Sequence, residues 1–112
     1  MKRLQRGLLT LMVLVWAVPS SAQTFSVPNE FWLTPRSGQI VRTEPSLQQA
    51  FAAYIQSDRT HLRLHHQKRD ESIAQAEELR SWLLVLGIEA GRIEMVDDNP
   101  LNTLKLEIVD IQ

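Results

Sequence analysis

HLRLHHQKRDESIAQAEELRSWLLVLGIEAGRIEMV, residues 61 to 96, decides the fold. Its first six residues alternate: Leu62, Leu64 and His66 fall on one side, and His61, Arg63 and His65 on the other. Strand side chains have a period of two, so this pattern predicts a strand buried on one face. Gln67-Lys68-Arg69 is polar. Ile73, Ala76, Leu79, Leu83 and Leu86 then recur at helical spacing, and Trp82 widens the stripe. Glu77, Glu78, Arg80 and Ser81 mark the wet side. Asp70 is a candidate cap, with Glu71 in the electropositive first turn. Gly87 supplies the left-handed residue at which helices stop. Over Arg92 to Val96, Ile93 and Met95 share a face and predict a second short strand. A strand, a helix and a strand in this order predict two parallel strands joined by a right-handed crossover.

The flanks extend this unit in both directions. Upstream, Thr43-Glu44-Pro45 opens a helix: Thr43 or Glu44 can cap it, and proline suits its first turn. Leu47, Ala50, Phe51, Tyr54 and Ile55 follow at helical spacing, and Ser57 to Thr60 is the exit loop. Phe31-Trp32-Leu33 is an apolar patch, Arg36-Ser37-Gly38 a turn signal, and Gln39 to Arg42 a strand or its continuation. Gln23 to Glu30 reads as a loose arm. Downstream, Asp97-Asp98-Asn99-Pro100 is a turn. Leu104, Leu106 and Ile108 alternate with Lys105, Glu107 and Val109, which predicts a last strand forming a hairpin with its predecessor. The expected fold is α+β: a two-layer α/β sandwich in β-α-β-α-β-β order, with a mixed sheet and two helices on one face.

Met1 to Ala22 has the anatomy of a secretory leader. Lys2, Arg3 and Arg6 precede an apolar run from Gly7 to Val18, and Pro19-Ser20-Ser21-Ala22 ends in small residues. The run is shorter than the ~20 residues a membrane span needs. Cleavage after Ala22 would leave Gln23 to Gln112, a single small domain without a membrane span. Residues 23 to 30 would be its arm and residues 31 to 112 its folded body. The sequence holds 12 Lys and Arg, 13 Asp and Glu, and no Cys. Losing Lys2, Arg3 and Arg6 leaves nine basic residues against 13 acidic, a formal charge of −4. An acidic chain is poorly suited to nonspecific nucleic-acid binding. Export without cysteine points to a bacterial periplasm.

Motifs of catalysis are missing from the reading. No nucleophile elbow, glycine-rich phosphate loop or HExxH is found, and the expectation is a non-enzyme without cofactor. The three histidines do not form a metal motif: His61 and His65 share a strand face but lie about 13 Å apart, and His65 and His66 point oppositely. Arg59, Arg63, Lys68 and Arg69, with the histidines, make a basic segment in an acidic chain. It is either a solvated face balanced by Glu71, Glu77, Glu78 and Glu94, or a docking patch for an anionic partner. Trp32 and Trp82 are read as packing residues.

The element order, together with Trp82-Leu83, Gly87-Ile88 and Arg92-Ile93, resembles the OmpA-like, peptidoglycan-associated domain over roughly residues 31 to 109. Those pairs are similar to that family's YL-x-x-x-GI-x-x-x-RI segment. Leu62 to His66 is similar to the strand leading into its Gly-His-Thr-Asp turn. The family binds the carboxylate and amine of diaminopimelate through an Asp after this strand and an Arg on the next helix. Here Lys68 stands at the Asp position and Gln75, beside Ala76, at the Arg position, and the intervening loop is shorter and lacks its Gly and Asn. Each lost charge-assisted hydrogen bond costs about 1.5 to 3 kcal/mol. Ordinary diaminopimelate binding is therefore not expected, although Asp70 could stand in for the missing carboxylate.

Two functional expectations follow. The first is a periplasmic interaction module or accessory subunit of a cell-envelope assembly of the secretion, conjugation or pilus type, with an envelope protein as partner. The second is a peptidoglycan binder with a rearranged pocket. Arg63, His66, Lys68, Arg69 and Asp70 are the candidate binding residues for either. Unpaired edge strands also leave a homodimer open.

Overall fold

The computed structural model describes residues 22 to 110. The segment read as a leader lies outside them except for Ala22. Strand β2, Thr60–His66, runs through the middle of the domain. Thr60, Leu62, Leu64 and His66 are buried on one face, and the residues between them are half-exposed on the other. The expected alternation is the observed one.

Helix α3, Asp70–Val85, lays Ala76, Leu79 and Leu83 across the buried face. Leu86 closes it, and Gly87 follows at φ +107°, where a side chain would be strained. Strand β3, Ile93–Asp97, then pairs parallel with β2, Leu62 beside Ile93 and Leu64 beside Met95. Helix α2, Pro45–Tyr54, begins where the sequence places it. Glu44 is the cap, its carboxylate accepting from the Ser46 N–H at 3.2 Å, and Pro45 is the first helical residue. Leu47, Ala50, Ala53 and Tyr54 are buried, and Ile55 is exposed. Strand β4, Lys105–Asp110, turns Leu106 and Ile108 into the core.

Four readings change. Gln39 to Arg42 is helical: α1 spans Gly38–Thr43 and is started by the Ser37 hydroxyl, which accepts from the Ile40 N–H at 3.2 Å. Burial of Val41 outweighs the strand preference of Ile40-Val41. Gln23 to Ser26 is not a loose arm but strand β1, antiparallel to β4, with Phe25 beside Leu106. Val27 anchors its end, fully buried and donating to the Leu104 carbonyl at 2.9 Å. Asp70 does not cap α3. Arg69 holds the cap position without a side-chain bond, and the Ser72 hydroxyl accepts from the Gln67 N–H.

The largest change concerns the last two strands, which form no hairpin. The sheet order is β1-β4-β2-β3. The crossover through α3 sets β3 on one edge of β2, and β4 takes the other edge antiparallel. Because β1 and β2 both run opposite to β4, they are parallel to each other without touching. The result is the expected α+β two-layer sandwich with a mixed sheet of four strands, but the order is β-α-α-β-α-β-β: the first strand comes earlier, at Gln23–Ser26, and α1 adds a third helix to the two expected. The core contains residues of α1, α2, α3, β2 and β4 and lies on one side of the sheet. The opposite side, with His61, Arg63, His65, Glu94, Lys105 and Glu107, carries no helix among the described residues.

Candidate functional site

The parallel strands β2 and β3 end together, and their C-terminal ends form a rim. In α/β sheets such rims are where ligands gather. The chain leaves β2 through Gln67 to Arg69 and leaves β3 through Asp98, Asn99 and Pro100. Asn99 ties this exit loop down. Its N–H donates to the His66 carbonyl, its amide nitrogen donates to the carbonyls of His65 and Thr103, and its side-chain oxygen accepts from the Leu101 N–H. Two shallow clefts of about 280 Å³ each open against the loop. One is lined by Thr24, His65, Asp98, Lys105 and Glu107, the other by Lys68, Asp97 and Pro100.

A row of alternating charge starts at this rim and crosses the uncovered face. The His65 ring lies between two carboxylates, Nδ1 at 2.7 Å from Asp98 and Nε2 at 2.8 Å from Glu107. Arg63 follows, its Nη1 at 3.8 Å from Glu107 and its Nε donating to Glu94 at 3.1 Å. Asp98, His65, Glu107, Arg63 and Glu94 thus form a chain of three anions and two cations. Strand alternation makes it possible: Arg63 faces Glu94 on β3 and Glu107 on β4, while His65 faces Val96 and Lys105. A ring that serves two carboxylates through both nitrogens has no lone pair left for a cation. Among the described residues, no group of three His, Cys, Asp or Glu side chains could hold a metal.

His65 titrates above its ordinary value. Partial burial pulls its pKa down, but the hydrogen bonds to Asp98 and Glu107 and their negative charge outweigh that and raise it. The imidazolium is therefore favoured by folding. Its stabilisation is complete below about pH 6.5, the unfolded value, and is lost as pH rises through the higher folded value. Chemical denaturation across this range checks the sign: this component of the wild-type unfolding free energy declines as pH rises above about 6.5, and His65→Gln removes it. The substitution costs about 1 kcal/mol at about pH 6, the scale of one net hydrogen bond.

The candidate residues do not converge. Arg63 lies on the uncovered face. His66 is turned into the core side, only 7% exposed, its Nδ1 2.8 Å from the Gln67 carbonyl. Lys68, Arg69 and Asp70 are exposed at the rim, and Arg69 reaches Glu71 at 3.4 Å. The basic segment is balanced by anions, although apart from Glu94 and Glu71 its partners come from elsewhere: Glu107, Asp98 and, for Arg59, Asp110 at 3.7 Å. Asp98 and Glu107 are not among the candidates, and His65 enters only as a member of the basic segment. The one local signal for His65 was its place on the outer side of β2, because its partners lie 33 and 42 residues away.

A further ion pair lies on the helical side. Arg36 donates to both oxygens of Glu78 at 2.8 Å and sits 5.2 Å from the Trp32 ring. Hydrogen bonding from Arg36 holds the Glu78 carboxyl below its usual range. Glu78 is thus engaged rather than simply solvated. It lines a 330 Å³ cleft with Trp32, Arg36 and Gln75. No helix among the described residues is long and apolar enough to cross a membrane. The fold defines a two-layer α+β domain with one uncovered sheet face. Compared with protein-family models, with curated proteins and with solved structures, the chain matches none.

Proposed function

We propose that the chain is a non-enzymatic interaction module of the periplasm, an accessory subunit of a cell-envelope assembly of the secretion, conjugation or pilus type. It docks on an envelope protein through the rim where β2 and β3 end and the uncovered face beside it. The observation that carries this reading is the row Asp98, His65, Glu107, Arg63 and Glu94 on a sheet face that no helix among the described residues covers. Alternating fixed charges select a partner by register and steer its approach more than they add affinity. The leader-like residues 1 to 22 and the resemblance to OmpA-like domains support the compartment. A photo-crosslinking residue placed at Lys68, Glu94 or Lys105 in living cells tests it. One discrete envelope-protein adduct from these positions, absent from a position on α2, is the expected result. Bare chain at every position would refute the docking surface.

Peptidoglycan is the second reading, and one observation favours it: Lys68, Arg69 and Asp70 stand exposed together at the rim, offering both signs of charge to a zwitterionic stem peptide. Sedimentation with purified sacculi separates the two. Co-sedimentation that Asp70→Asn weakens supports the glycan. Protein left wholly in the supernatant leaves the protein partner alone.

A further inference from the structure

The two outer edges of the sheet differ in chemistry. Strand β3 carries Glu94 and Asp97 and is followed by Asp98. Glu94 and Asp98 are held by Arg63 and His65, but Asp97 is in no ion pair among the described residues, so two copies meeting there would set one Asp97 near the other, and such charges are a known means of keeping sheet edges apart. Strand β1 reads Gln23-Thr24-Phe25-Ser26 and has no charged side chain. The helix surface above it is also uncharged: Gln49, Ala52, Ala53 and Gln56 lie at i, i+3, i+4 and i+7 and border a shallow hollow of about 530 Å³ with Gln23 and Phe25. With nine basic and 13 acidic residues from Gln23 onward, the domain repels its own copies over much of its surface. The β1 edge is the neutral exception.

Among the described residues nothing pairs with the outer edge of β1, and its backbone is self-complementary. Val27 bonds to Leu104, so in an antiparallel ladder Phe25–Leu106 and Gln23–Ile108 are the other bonded pairs. The N–H and C=O groups of Thr24 and Ser26 therefore point away from β4, toward the free edge. A two-fold axis through Phe25 would pair Thr24 with Ser26 of a second copy and Ser26 with its Thr24. The two Phe25 residues would face each other as the close, non-bonded pair, on the same side of the sheet as α2.

We propose that the chain forms a two-fold homodimer through antiparallel β1–β1 pairing centred on Phe25, making one continuous eight-stranded sheet. The half-buried Phe25 rings and the two Gln49–Gln56 helix surfaces close over the hollows. Aromatic cross-strand pairs and closed two-fold symmetry both favour this contact.

The test expresses the full coding sequence and takes the protein in whatever processed form the cells yield. Sedimentation over a roughly hundredfold concentration range should show the mass doubling. Thr24→Pro removes an outward N–H without breaking a bond to β4, and should weaken association at least about tenfold with an unchanged circular dichroism spectrum. The chain has no cysteine, so Phe25→Cys, oxidised with diamide, should give a disulfide dimer, its Cα spacing of about 4.5 Å being within disulfide reach. Met95→Cys on β3 should not. A monomer at every concentration, a dimer indifferent to Thr24→Pro, or cross-linking through Met95→Cys overturns the proposal. Should Thr24→Pro not fold, Thr24→Lys takes its place, and persistence of its dimer is equally decisive.

Discussion

Truncating Leu64 to alanine lowers the unfolding free energy by about 3 to 5 kcal/mol. Leu64 is fully buried at the centre of β2, with Met95 on one side and Leu106 on the other. Its loss removes three heavy atoms where the packed layers leave little freedom to collapse. A domain of this size holds only about 5 to 10 kcal/mol in total, so the variant should be marginal at 37 °C. Urea denaturation measures this directly. A cost below about 1 kcal/mol would mean that β2 is not the core strand. Leu33→Ala, on a side chain 79% exposed, serves as the control and should change stability by less than about 0.5 kcal/mol.

The second large effect is expected at Arg92. Its guanidinium donates to the Thr60 carbonyl and hydroxyl, both at 2.8 Å, and to the Ser57 carbonyl at 3.2 Å. It also stacks 4.3 Å from the centre of the Tyr54 ring. One side chain thus joins the end of α2, the Ser57–Thr60 loop, the start of β2 and the approach to β3. Arg92→Met keeps the stem but removes a charged donor from the Thr60 carbonyl and hydroxyl and one of two donors from the Ser57 carbonyl, which keeps the Thr60 hydroxyl at 3.0 Å, at a cost of about 2 to 3 kcal/mol. Arg92→Lys should recover only part of this, because an ammonium cannot reproduce the planar fork. The check is hydrogen exchange: protection should fall first at Thr60 and His61. An Arg92→Met protein of wild-type stability would show the contacts to be incidental.

Elements with strong local signals were legible without coordinates. Leu62, Leu64 and His66 announced β2 by alternation, Ile73 to Leu83 announced α3 by spacing, and Glu44-Pro45 and Gly87 marked a start and a stop that the chain uses. Where the local signal was short, it misled. Gln39 to Arg42 contains two β-branched residues, yet the Ser37 cap and burial of Val41 make it helical. Gln23 to Ser26 is four residues long, and its partner Leu106 lies 81 positions beyond Phe25, so nothing nearby marks it as a strand. The same distance hides the charged row. His65 and Arg63 could be placed on the outer side of β2, but the anions that engage them arrive only when β4 and the loop after β3 close around β2. The hairpin expectation failed for a related reason. Neighbouring strands in sequence usually pair, but the crossover had already committed one edge of β2 to β3.

The position of β4 between β1 and β2 has a consequence for synthesis. As the chain leaves the ribosome, three of the four strands among the described residues emerge before the one that joins the first to the rest. Until Lys105 to Asp110 appears, β1 has no neighbour, and β2 and β3 form a two-stranded ribbon with an open flank. The sheet can therefore close only once translation has passed β4, and before then the chain lies open to any factor that binds extended segments.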